Sequence, residues 1–299
     1  MKKFISLLFA TVVLVVVMMF SITTVSFAAS ESHSSHPVCG NWCSCDTSSH
    51  SYKNWTAWDG TTKMYDGYYY LEKDIELSST MVLDYSYVSY LCLNGHSITC
   101  KDTVFDIYSY RSLTITDCKK KGKIESTSDW CTIGNNKYLS IYGGSIINSG
   151  DYGAAIDAYE DTSTFIYGGA IESTNDQAIY AYKGSSILIS DGTITSDLYI
   201  DGGSLKINGG NINGDISVWG DIDNSTITSI SGGVINGDLN SGSDSIFITG
   251  GSTKEIFLSG KEIVISSGKY SGLCVINGNN TTISAGDFTK CSYFDINGE

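Results

Sequence analysis

The sequence predicts an all-β fold, a right-handed parallel β-helix solenoid with a small Cys/His-rich cap at its N-terminus, and three observations carry that reading. The first is an internal repeat in which an isoleucine is followed three residues later by a glycine, often with a second glycine just before it, as in Ile141-Tyr-Gly-Gly144 and Ile166-Tyr-Gly-Gly169. Ile115, Ile141, Ile166, Ile189, Ile207, Ile230, Ile248, Ile265 and Ile283 hold this register at spacings of 17 to 26 residues. A unit that short cannot bury its own apolar face and must stack on its neighbours. The second observation is the alternation before each glycine, as in Leu139-Ser-Ile141 and Leu205-Lys-Ile207, whose period of two is a strand with one buried face. The third is a pair of further apolar positions in each copy. Ile146, Ile171, Ile194, Ile212, Ile235, Tyr270 and Phe288 follow the glycines, and Ile107, Ile156, Ile179, Leu198, Ile216, Leu239 and Ile256 precede the next copy. Glycine accepts φ > 0 without steric cost, so it turns the corner between these strands. Three strands per coil, variable coil length and no strict six-residue spacing favour the right-handed form over the left-handed hexapeptide type.

In chain order, residues 1–28 read as an export signal: Lys2 and Lys3, an apolar run through Phe20, and the small-residue site Ser26-Phe-Ala28. The run is long, which leaves an uncleaved anchor as the alternative. The protein is therefore expected to be secreted, extracellular or held at the cell surface. Without its two signal lysines the chain has 16 basic and 32 acidic residues, a net charge of −16. Such a surface repels nucleic acid and anionic membranes, and neither is an expected partner.

Residues 29–60 change composition to His, Cys, Ser and Trp. His33, His36 and His50 lie with Cys39, Cys43 and Cys45 in one short stretch, a donor set that suits a tetrahedral site for Zn²⁺. Export equally allows these cysteines to form disulfides. Residues 61–299 form the β-helix. Six more cysteines, Cys92, Cys100, Cys118, Cys131, Cys274 and Cys291, lie there, and their pairing is not legible from spacing. His96 follows an Asn-Gly turn and reads as structural. The only basic cluster, Lys119, Lys120, Lys121 and Lys123, reads as a solvated loop. Asn213-Gly-Asp215 and Asn236-Gly-Asp238 recur at one point of the coil. Carboxylates there offer oxygen of the kind Ca²⁺ takes, but turn geometry selects the same residues, and calcium is not expected.

Several segments together carry a resemblance. The Cys/His stretch, Gly67-Tyr-Tyr-Tyr-Leu71, Leu91-Cys-Leu-Asn-Gly-His-Ser-Ile98, Leu113-Thr-Ile-Thr-Asp-Cys118 and the recurring Tyr-Gly-Gly-x-Ile resemble the secreted and surface-displayed pectin-lyase-like β-helix proteins of Gram-positive bacteria, which are adhesin-like or of unknown function. The resemblance covers nearly all of the exported chain. It implies a structural zinc held by His36, Cys39, Cys45 and His50, although this chain adds Cys43 and spaces His33 and His36 differently.

The third strand carries the candidate site. If its apolar residues point inward, those one and three places later point outward. These include Tyr108 and Tyr110, Asp157 and Tyr159, Tyr180 and Tyr182, Tyr199 and Asp201, and Trp219. One face would then display an aromatic column, Tyr108, Tyr110, Tyr159, Tyr180, Tyr182, Tyr199 and Trp219, with carboxylates beside it. A glycan or other surface polymer is the expected ligand. No catalytic residue is assigned. The alternatives are a polysaccharide lyase or glycoside hydrolase, which this sequence supports poorly because Arg111 is its sole arginine, and a structural or protein-binding surface component.

Overall fold

In the computed structural model, residues 36–37, 52–83, 88–108, 110–220 and 226–297 are described. His36–Pro37 and Tyr52–Lys53 pair as a separate antiparallel two-stranded sheet, the rest form a parallel β-solenoid of about ten turns, and no helix occurs among the described residues. Each turn contributes a strand to three stacked sheets. The first sheet begins at Thr56–Ala57 and Gly67–Tyr70, the second at Ile75–Leu77 and the third at Met81–Leu83.

The isoleucine repeat is the inner row of the first sheet. Leu91, Ile115, Ile141, Ile166, Ile189, Ile207, Ile230, Ile248, Ile265 and Ile283 pair in one unbroken register. All but Ile283 are buried, and each buried aliphatic side chain stabilises the fold by roughly 1.5–3 kcal/mol. The second sheet repeats the logic with Ile98, Ile124, Ile146, Ile171, Ile194, Ile212 and Ile235. Thr253 then interrupts the row before Tyr270, whose ring stacks on Phe288 at 4.6 Å between centroids. The glycine corner between these sheets is obligatory. Gly169 has φ +86°, and a Cβ there would sit 2.5 Å from the carbonyl oxygen of Gly144.

The third sheet differs from the expected register in one coil. Ile107 does not stand in the row of Ile156 and Ile179. Phe105 stands in that row after Met81, pairing with Ile133, then Ile156, Ile179, Leu198, Ile216, Leu239, Ile256 and Cys274. Ile107 fills the other inner row beside Asn135, Ala158 and Ala181. Both residues are apolar and two apart, so alternation alone is satisfied by either register.

Among the cysteines, Cys274 and Cys291 form a disulfide between the last two coils, and Cys92 and Cys118 meet across two early coils with their sulfurs 3.6 Å apart.

Candidate functional site

The outer face of the third sheet has two rows. One runs Val82, Asp106, Gly134, Asp157, Tyr180, Tyr199, Ser217, Asn240, Phe257, Val275 and Asp295. The other holds Tyr108, Asn136, Tyr159, Tyr182, Asp201 and Trp219, each residue next to its neighbour's coil in the parallel ladder, as Asn136 N–H to Ile107 O at 2.8 Å and Tyr182 N–H to Ala158 O at 2.9 Å show. Neither row carries a lysine or arginine.

Four of the seven expected aromatic residues come together. Tyr159 stacks on Tyr182 at 5.6 Å and Tyr180 on Tyr199 at 5.1 Å, and Tyr180 and Tyr182 tilt against each other at 4.6 Å and 48°. All four are partly buried. The other three stand apart, so the expected column is broken. Tyr108 shares the outer row but Asn136 occupies the coil between it and Tyr159. Tyr110 lies past the strand, at φ +70° in a turn and 77% exposed. Trp219 is separated from Tyr182 by Asp201. It is 52% exposed and with Phe257, Asn240 and Gly242 lines a shallow cavity of about 200 Å³.

Beside the tyrosines lies a buried pocket of side chains around Gly134 that the sequence did not reveal. Gly134 separates Asp106 from Asp157 in their row, and a Cβ on it would meet Asp106 Oδ1 and the Tyr159 ring at 3.2 Å and Cys131 Sγ at 3.7 Å. Asp157 is only 7% exposed. Burial, reinforced by the charge of Asp176, pushes its carboxyl up to about 7, while a hydrogen bond with Cys131 works the other way. Burial also raises Asp106, against the amide of Asn136 that donates to its Oδ1 at 3.1 Å. The Cys131 thiol is pushed up to about 12 by burial and by Asp157, so it stays protonated and is no nucleophile. Burial pushes Tyr182 up to about 12 and raises Tyr159 and Tyr180. These hydroxyls remain hydrogen-bond donors at neutral pH. The signal that could have found this grouping is the interruption of an acidic and aromatic outer row by a glycine. It becomes visible only once Phe105 fixes the register.

The larger groove, about 560 Å³, follows the glycine corner past Lys120, Gly144, Gly169, Asp191 and Gly210. Its space exists because the corner lacks side chains. The amides of Ser145, Ala170, Thr193 and Asn211 along it are already given to glycine carbonyls of the preceding coil, which leaves them unavailable to a ligand.

Other residues singled out above have structural surroundings. His96 closes a turn onto Leu93 O, and its Nδ1 lies 3.3 Å from Asp74 Oδ1. Arg111 is buried, its Nη2 donating to Met64 O and to Ser89 Oγ at 3.2 Å. Buried Asp117 accepts the amides of Gly95, Lys121 and Gly122 and so shapes the loop that holds Lys119, Lys120 and Lys121 at the surface. Asp197 and Asp215 accept the amides of Asp215 and Asp238, which uses the recurrent acidic turns as an inter-coil ladder. Among the described residues no group of three or more His, Cys, Asp or Glu is arranged to hold a metal ion. Of the zinc set, His36 pairs through its backbone with Lys53, while Cys39, Cys45 and His50 lie outside the described residues.

Comparison with known proteins finds no matching family model, no matching curated protein and no matching solved structure. The solenoid and its repeat therefore stand on the chain's own geometry.

Proposed function

We propose that this protein is a secreted or cell-surface, adhesin-like module of pectin-lyase-like type that binds carbohydrate on the outer face of its third sheet without cleaving it. The observation that carries this reading is the cluster of Tyr159, Tyr180, Tyr182 and Tyr199 on three consecutive coils, partly exposed and set against Asp157 and Asp201. A ring face takes the apolar C–H side of a sugar, while the exposed carboxylate of Asp201 accepts its hydroxyl hydrogens. Trp219 and Phe257 extend the apolar surface along the axis, with the amides of Asn240 and Asn277 beside them. Coils repeat about every 4.8 Å, so a polymer lying along the axis meets a new pair of outer side chains at each step. The net charge of −14 over the whole chain favours neutral or cationic polymers over uronates.

The test is incubation of the exported chain with neutral, cationic and acidic polysaccharides, scoring retained protein and released sugar in the same tubes. Retention without release is expected, and the double change Tyr182→Ala with Trp219→Ala should weaken it. Retention that survives the double change contradicts the aromatic face and favours a protein-binding or structural role.

One observation favours a second reading, glycoside hydrolysis. Asp106 and Asp157 share an outer row two coils apart. Their backbones are thus about 9.6 Å apart by strand spacing, and both side chains stand on the same face of the sheet, as a pair of carboxyls acting on one bond requires. Asp157, pushed up to about 7, would retain a proton to give. Released oligosaccharide that disappears in both Asp106→Asn and Asp157→Asn would establish this reading. A lyase has less support, since the one arginine is buried.

A further inference from the structure

Cys92 ends a strand of the first sheet and is fully buried; Cys118 lies in the loop that follows the next strand of that sheet and is partly exposed. The register sets Cys92 beside Thr116, and the loop brings Cys118 back so that Cys92 Sγ is 3.6 Å from Cys118 Sγ. The loop holding Cys118 is fixed, because the buried carboxylate of Asp117 accepts the amides of Gly95 at 2.7 Å, Lys121 at 2.8 Å and Gly122 at 2.6 Å. The pair is thus presented by two anchored segments of adjacent coils. Bond formation, at about 2.05 Å, requires the sulfurs to close by about 1.5 Å, within reach of side-chain rotation.

We propose that Cys92 and Cys118 are a cross-linking site, closing into a disulfide between consecutive coils when the folded protein meets a small-molecule disulfide such as oxidised glutathione. Cys118 is the entry point. It is the more exposed sulfur, and it accepts the hydrogen bond from the Cys92 thiol. Its thiolate attacks one sulfur of glutathione disulfide, giving a mixed disulfide on Cys118 and releasing one glutathione. Cys92 then attacks the Cys118 sulfur and expels the second glutathione. Two thiols of the protein are oxidised, one external disulfide is reduced, and both protons leave on the two glutathione thiols. Donation of the Cys92 proton to Cys118 is the first cause holding the Cys92 thiol high. That restraint ends once Cys118 is in the mixed disulfide, which helps the second step follow the first.

The cross-link would do for the early coils what Cys274–Cys291 does for the last two. A solenoid opens from its ends, where a coil has fewer neighbours, so a bond between coils near each end restrains fraying most effectively. Cys100 and Cys131 provide internal controls. Cys131 is held by Thr103 Oγ1 at 3.7 Å, on the third sheet.

The experiment uses the full exported chain, reduced while folded, then equilibrated in a glutathione buffer of rising oxidised fraction, quenched by alkylation, and digested without reduction. A peptide pair joining Cys92 to Cys118 is expected, lighter by two hydrogens than the reduced peptides, alongside the Cys274–Cys291 pair. Because Cys100 shares a tryptic peptide with Cys92, the link must persist in Cys100→Ser and vanish in Cys92→Ser. Recovery of Cys92 and Cys118 as alkylated thiols under conditions that close Cys274–Cys291 would overturn the proposal. So would a link from either residue to a different cysteine.

Discussion

Tyrosines stack between coils in two parts of this molecule, and the contrast separates stability from recognition. On the first sheet Tyr68 lies on Tyr90, and at its glycine corner Tyr142 lies on Tyr167; both pairs are close and nearly flat, 4.6 Å apart at 11° and 15°. On the third sheet the pairs are wider, 5.1 Å and 5.6 Å, and rings of the same coil tilt against each other at 48°. Flat, tight pairs are what coil stacking alone delivers, and each is worth about 0.5–1.5 kcal/mol beyond its buried area. The third-sheet rings add something stacking does not require: buried Asp157 and half-buried Asp106, with Gly134 between them leaving room for the Asp106 carboxyl and the Tyr159 ring. Ring stacking therefore marks the repeat, and only its coincidence with carboxyl groups marks a candidate site.

That contrast can be broken most forcefully at Asp157. Its folded carboxyl titrates near 7, whereas an unfolded aspartate titrates near 4. Between those values the folded chain holds a proton that the unfolded chain has released, so this group's contribution to stability falls as pH rises through the window. Asp157→Asn should gain on the unaltered chain by roughly 2–4 kcal/mol from about pH 4 to about pH 8, read by urea unfolding. A difference that does not change with pH would mean the carboxylate is not desolvated there. Gly134→Ala sharpens the contrast more gently. The new methyl group meets Asp106 and Tyr159 at 3.2 Å, so glycan retention should weaken by roughly three- to tenfold, about 1 kcal/mol, while stability moves by no more than about 1 kcal/mol. Full retention in this variant would remove the surroundings of Gly134 from the site. Smallest is Trp219→Ala, which leaves the tyrosine cluster intact and should cost about two- to threefold in retention, on the order of 0.5 kcal/mol. A loss as large as that from the cluster would move the centre of binding toward Phe257.

Much of this architecture is legible in the sequence, because burial leaves few choices for a ladder such as Ile141, Ile166 and Ile189: every copy needs an apolar residue at one point of the coil and a glycine at the corner. The site was less legible for the opposite reason. Outer positions tolerate most residues, so Tyr108, Tyr110 and Trp219 look alike in sequence although they stand in different surroundings. Counting from Ile107 puts Tyr110 on the strand; the left-handed backbone at Tyr110 takes it off the sheet. Asp106 and Gly134 carried no local signal. They become neighbours of Asp157 only through the register of three coils. Cys92 and Cys118 were likewise two among six cysteines until the Asp117 loop brought them together.

The most direct test of recognition by the third sheet compares two double variants on whichever polysaccharide retains the unaltered chain. Tyr180→Ala with Tyr182→Ala dismantles the third-sheet cluster, and Tyr142→Ala with Tyr167→Ala removes a flat stack elsewhere. Both should lose a similar amount of folding stability, about 1–3 kcal/mol. Only the first should lose retention, by about tenfold or more, equivalent to about 1.4 kcal/mol. Equal retention by the two variants would contradict the assignment and reduce the third-sheet tyrosines to the stabilising role of their counterparts on the first.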